Sequence, residues 1–286
     1  HIMKARYTPS QVRVLAVEEE GSPYHEQLRD IPDLEGMPVA VGGLHSQVPL
    51  VAAAVKHRAP QARVAYVMTD GAALPAAFSQ VVQGLRRAGL VDAVITAGHA
   101  FGGDYEAVTV PSALAAAKVV VKADVTIVAM GPGVVGTGTS LGCTALEQGP
   151  ILDAAQDLGG RPLPVARVSF HDPRERHHGI SHHTMTALTR FVHYPLTVPL
   201  PLFNRAPWRE RLKEQAKALE AKGHTIVWRD GVRAHAHAKA LLSQHGIKVT
   251  TMGRSDKDDP AFFQAAAVAG EEAARLLEAR ESGRAR

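Results

Sequence analysis

The chain has 286 residues and a mass of 30.5 kDa, enough for one large α/β domain or two ordinary ones. Hydrophobic residues make up 45% and charged residues 21%, which supports a sizeable core and excludes wholesale disorder. Lysine and arginine number 32 against 28 acidic residues, a net charge of +4 without a basic tract, so nucleic acid is not an expected partner.

No apolar run reaches the roughly 18 residues of a membrane-spanning helix, so no membrane partner is expected either. The single cysteine, Cys143, excludes a disulfide framework or zinc ribbon within one chain. The composition suits a reducing interior, and a cytoplasmic location is expected. The opening His1-Ile2-Met3-Lys4 carries no signal-peptide pattern.

Short β-branched runs alternate with Ala/Leu-rich segments along the chain. A strand is expected at residues 12–17. Next come strand 39–43 with helix 48–57, strand 62–68 with helix 75–88, and strand 93–96. Strand 125–130 precedes helix 144–158, and strand 165–170 precedes helix 182–193. The remaining pairs are 197–200 with 208–222, 225–228 with 234–245, and 247–251 with 260–280. Near-continuous apolar strands are those buried on both faces. Strict alternation then implies right-handed crossovers and a doubly wound, mostly parallel, Rossmann-like sheet with helices on both faces.

Asp259-Pro260 reads as a helix start and Lys222-Gly223 as a helix stop. The charged tail 278–286 should fray. Residues 1–35 form an N-terminal segment and 36–203 the main lobe. Residues 204–286 are either the C-terminal part of the same domain or a second lobe, with Asn204 to Pro207 as boundary or ordinary loop.

In an open parallel sheet, ligands bind beyond the carboxyl ends of the strands. The residues following the expected strands include His45, Asp70 and His99, then the glycine-rich run 131–140 and the histidine-rich run 171–184. The loops at the opposite edge are short and plainly charged. A ligand site is therefore expected at the carboxyl edge.

Gly131, Gly133 and Gly136 match G-x-G-x-x-G, but a mid-chain position and the absence of a well-placed acid weaken a dinucleotide reading. No Walker lysine is present. Glycine N–H groups together with Thr137, Thr139 and Ser140 at a helix start would cradle an anion; a capped tight turn is the bland alternative. Cys143, near the same helix start, could have a lowered thiol pKa, although a small packing residue is the simpler reading.

Histidine is over-represented, with 15 in the chain and five between His171 and His183. Ser181 reads as the N-cap of a helix whose first turn holds His182 and His183, where the helix N-terminus favours neutral imidazole. Two chemistries fit. In one, Asp172 and some of His171, His177, His178, His182 and His183 bind a divalent metal, with His171, Asp172, His178 and His182 as the nominated ligands. In the other, Arg174, Arg176 and the helix start hold a phosphate or carboxylate while one histidine moves a proton. A hydrogen-bonded surface loop or subunit contact remains open. His235 and His237 alternate on a helix and point in different directions. Residues 252–255, after the last expected strand, add a further anion contact or form an ordinary loop.

Four segments together resemble a known family: residues 1–9, the run 131–139, the run 172–184, and Met252-Gly253-Arg254 followed by Asp259-Pro260-Ala261-Phe262-Phe263. Their order resembles the bacterial domain-of-unknown-function family three-eight-six-six over nearly the whole chain. The resemblance implies a bacterial protein, and it implies that Met3 lies inside a longer chain with a small N-terminal domain before residue 1. It supplies no activity and no catalytic residue.

The expectation is an enzyme that hydrolyses, or transfers a group from, a small anionic substrate, phosphorylated molecules included. Asp172, His177, His182 and His183 would do metal or proton work. Gly131, Gly133, Gly136, Thr137, Thr139, Arg174, Arg176, His45, Asp70 and His99 would line the ligand. A non-enzymatic sensor or regulatory domain for a nucleotide-like ligand is the rival, and a scaffold with a histidine loop in a homo-oligomer contact is a third reading.

Overall fold

A computed structural model describes residues 1–71 and 74–284. Strands β1 (Ile2–Lys4) and β2 (Val12–Val14) form an antiparallel hairpin. A short α1 (His25–Leu28) leads to β3 (Pro38–Gly42), α2 (Val48–Arg58), β4 (Val64–Thr69), α3 (Gln80–Arg87), β5 (Ala93–Thr96) and β6 (Tyr105–Glu106). Then follow α4 (Val110–Val119), β7 (Val125–Met130), α5 (Gln148–Asp157) and β8 (Arg161–Val165). The short strands β9 (Val168–Ser169) and β10 (Gly179–Ile180) pair antiparallel. The chain continues through α6 (His182–Arg190), β11 (Thr197–Leu202), α7 (Ala206–Glu220), β12 (Thr225–Asp230), α8 (Gly231–Gln244) and α9 (Pro260–Arg284).

The main sheet is parallel with order β6-β5-β4-β7-β3-β8. Strands β3, β4, β5 and β7 are buried along their whole length, as their apolar runs require. One core packs α2, α3, α8 and most of α9 on one face; the other packs α4, α5, α6 and α7 on the opposite face. The helix after β3 therefore lies on one face and the helix after the adjacent β7 on the other. That is a topological switch point, with a crevice at the strands' carboxyl ends.

The structure corrects several expected elements. Residues 12–17 do not join the main sheet; β2 pairs only with β1, and Ala16 makes an isolated bridge to Glu106. Strands β11 and β12 form a separate two-stranded parallel sheet. The strand expected at 165–170 is instead β8, followed by the two-residue β9. β8 carries Pro162 and Pro164, which lack N–H donors, and it is tolerated because it is an edge strand paired only with β3. Residues 247–251 run as an extended strap outside any named strand. Residues 278–284 continue as helix, with Glu278 paired to Arg58 at 2.7 Å; residues 285 and 286 of the expected frayed tail lie outside the described residues.

Residues 261–274 of α9 are buried on every side, which suits their Ala-rich composition. Asp259 does precede this helix, but its side chain accepts from Ser169 Oγ at 2.6 Å and Arg254 Nε at 3.3 Å. Helices α2 and α9 approach closely at Gly270, where a Cβ would lie 2.5 Å from the Val51 carbonyl oxygen. Helix propensity favours Gly270→Ala by up to about 1 kcal/mol, whereas overpacking costs about 1–3 kcal/mol. Overpacking against backbone should prevail, so this variant should show a lower urea midpoint than wild type. An unchanged or raised midpoint would show that the two helices separate freely.

Candidate functional site

The pairing of β9 with β10 closes residues 170–178 into a loop and delivers its end to the start of α6. Ser181 caps α6, accepting from the His183 N–H, and its Oγ lies 2.8 Å from His177 Nδ1. With the Nδ1–H tautomer of His177 donating to Ser181, Nε2 is left bare. His177 Nε2, His182 Nε2 and His183 Nδ1 are all buried without a hydrogen-bond partner among the described residues. One ligand nitrogen from each of these three rings lies within 4.8 Å of the others.

These imidazoles are neutral at pH 7. Burial, then the Arg167 and Arg174 charges, pushes His177 down to about 3. Burial, then His182 and Arg167, pushes His183 down to about 4. His182 is lowered by burial and then by Arg176, Arg167 and Arg174.

The arginines converge on Asp172, whose side chain is fully buried. Arg174 binds both of its oxygens, Nε to Oδ1 at 2.8 Å and Nη2 to Oδ2 at 2.9 Å. Arg167 Nη2 and Arg254 Nη2 donate to Oδ2 at 3.0 and 3.2 Å. Burial alone would raise the Asp172 carboxyl, but the Arg174 hydrogen bonds and the Arg174 and Arg167 charges outweigh it and hold it well below the usual carboxylate range. Asp172 is thus an organiser of guanidiniums, not a free base. Arg174 is committed to it, whereas Arg176 makes no ion pair or hydrogen bond among the described residues.

Residues 131–143 form a hairpin with a bridge between Gly136 and Cys143. The hairpin faces the histidine segment: a Cβ on Gly136 would lie 3.4 Å from His183 Nε2, and one on Gly138 would lie 3.6 Å from Arg176 Nη2. The two motifs expected at one rim are therefore together. Their internal roles differ from expectation. Thr137 and Thr139 bond each other at 3.0 Å and the Gly142 backbone, so their hydroxyls tie the hairpin rather than open a helix. The Cys143 thiol is pushed up by burial, not down.

His171 and His178 stay outside the imidazole group. His171 is exposed, 3.9 Å from Asp259 and edge-on to Trp208, and His178 Nε2 bonds the Asp172 carbonyl at 2.7 Å. The nominated metal set thus retains only His182, joined by His177 and His183. Asp70 and His99 belong to a latch: Asp70 accepts the His99 N–H at 3.0 Å, and His99 Nδ1 accepts the Ala5 N–H at 3.1 Å. His45 lies between Tyr66 OH at 3.1 Å and Ser79 Oγ at 2.7 Å, and burial pushes it down to about 4. His235 and His237 do diverge, towards Phe263 and His57 respectively.

Sequence reasoning missed Arg167 and the Arg254 contact to Asp172, which no local spacing signals. It also missed Glu147, which accepts from Thr69 Oγ1 at 2.6 Å and is pushed up to about 7 by burial, with Asp70 adding to the rise.

Removing the Asp172 charge leaves three guanidiniums facing one another. Asp172→Asn should destabilise the fold by about 3 kcal/mol, in line with breaking a buried ion pair. The wild-type contribution is fully present above the ordinary carboxylate pKa of about 4 and is lost as pH falls through the depressed folded value. The Asn variant should therefore show less stability loss on acidification than wild type. Parallel curves between pH 5 and the acid limit of folding would contradict the clamp.

No helix among the described residues is long and apolar enough to cross a membrane. No curated protein matches the chain. The model of the family described as "Protein of unknown function (DUF3866)" matches residues 1–270, and the chain belongs to that family.

Proposed function

We propose that this protein is a divalent-metal enzyme that hydrolyses, or transfers a group from, a small anionic substrate. The observation that carries the reading is the trio His177, His182 and His183, three neutral rings each with a buried nitrogen lacking a partner. Leaving such nitrogens unsatisfied is costly, and a cation satisfies all three at once. Three histidines with an open position are a catalytic ligand set rather than a closed structural one. Ser181 fixes the His177 ring, as partners of metal-binding histidines do. A metal held there supplies Lewis-acid polarisation and activation of water.

Arg176 is the chain's own contribution to substrate binding. It is the guanidinium of this rim that Asp172 does not use, and it lies beside Gly138 of the hairpin. The hairpin packs against His183 at Gly136. Asp172 keeps Arg167, Arg174 and Arg254 in place, so the rim stays positive and the imidazoles stay unprotonated.

Protein made without a histidine tag, loaded with Zn²⁺ and desalted, should retain close to one equivalent of metal by elemental analysis. His177→Ala, His182→Ala and His183→Ala should each abolish retention, and Ser181→Ala should weaken affinity about ten- to hundredfold. Failure of the wild-type protein to hold metal would remove the reading. Arg176→Ala should keep the metal but bind inorganic phosphate about tenfold more weakly by calorimetry, the loss of one charge-assisted contact. Equal phosphate affinity would remove Arg176 from the substrate site.

A further inference from the structure

At the switch point, the loop after β3, the turn after β7 and the strap 247–252 enclose a cavity of about 350 Å³. Leu44, Pro49, Val81, Val134, Val249 and Met252 form its apolar walls. Ser46 Oγ bonds Thr251 Oγ1 at 3.3 Å and fastens the strap to the start of α2. The walls thus come from four separate chain segments, Val81 of α3 included, rather than from one loop.

The polar groups are few and of one sign. Lys248 lines the cavity and forms no ion pair among the described residues, and no carboxylate lines it. The N–H groups of Gly133 and Val134, in the turn where Gly133 has φ +122°, make no hydrogen bond among the described residues. The His45 ring nitrogens face Tyr66 and Ser79, and burial pushes this ring down to about 4, so it adds no charge to the wall at neutral pH. An apolar slot with one cation and two free N–H donors matches a ligand with an apolar body and one negative group.

We infer that this crevice binds a small molecule made of an apolar or aromatic body and a single anionic group, the body against Leu44, Val134 and Val249 and the anion at Lys248 and the Gly133–Val134 N–H groups. The inference stands apart from the metal assignment, because none of His177, His182 and His183 lines this cavity. Leu44 also borders a narrow gap lined by Arg167 and His183, so a ligand body here lies one side chain away from the imidazoles.

The test uses the full chain with ¹³C-labelled methyl groups and naphthalene-2-sulfonate as probe. Saturable shifts should be confined to the methyls of Leu44, Val81, Val134, Val249 and Met252. Lys248→Ala, a substitution of an exposed residue, should weaken binding about tenfold, and Val249→Trp should abolish it by filling the slot. The neutral analogue 2-naphthalenemethanol should bind wild type and Lys248→Ala equally. His183→Ala should bind the probe as wild type does, so loss of the metal site and loss of the crevice are read separately. Scattered shifts, no binding, or a sulfonate affinity indifferent to Lys248 would overturn the inference.

Discussion

The carboxylate of Asp172 is the interaction on which the rest of the rim depends. Its partners come from distant stretches of chain: Arg167 from the link between β8 and β9, Arg174 from the histidine loop, and Arg254 from the strap before α9. One buried acid thereby ties the sheet edge, the loop and the C-terminal strap together. Asp259 supports the same knot, accepting from Ser169 and Arg254. Buried ions are retained at a desolvation cost, and geometry offsets that cost only when several hydrogen bonds are made. Asp172 accepts from three guanidiniums and from the Arg174 N–H at 3.1 Å, while its own N–H donates to Ser169 Oγ at 3.0 Å.

The electrostatic consequence reaches the histidines. Guanidiniums are always protonated, so they disfavour a proton on any nearby imidazole. Burial comes first for all three; arginine charges come next for His177 and His182, and the His182 ring followed by arginines for His183. The positive field that disfavours a proton there would favour an anion. A rim built this way keeps its imidazoles as electron-pair donors across the physiological range.

Much of this architecture is legible in the sequence. Apolar runs locate β3, β4, β5 and β7, and the polar run after each carboxyl end identifies the rim. Ser181 before His182 marks the start of α6. The missed elements have physical causes. Pro162 and Pro164 hide β8, because two prolines in a row of alternate positions argue against a strand unless its free edge is known. The strap 247–251 has a strand-like composition but no neighbouring edge to pair with. Asp172 reads as a catalytic acid from its place in a histidine-rich loop, and its true role depends on Arg167 and Arg254, whose proximity is a tertiary fact. Asp70 and His99 read as ligands from their strand-end positions, yet the β1–β2 hairpin docks there: Lys4, fully buried, donates to the Thr96 and Ala100 carbonyls at 2.9 and 2.8 Å and pairs with Glu106.

A cation placed among the three imidazoles would lie near Arg167, Arg174 and Arg176, an arrangement that Coulomb's law opposes at short range and low dielectric. Two features offset that opposition. Asp172 and Asp259 pair with the arginine cluster, so part of its charge is cancelled locally. Arg176, which pairs with neither acid, is exposed and therefore screened by water. An anion bridging Arg176 and the imidazole group would complete the balance, and by linkage whatever favours the cation in the presence of that anion favours the anion equally in the presence of the cation.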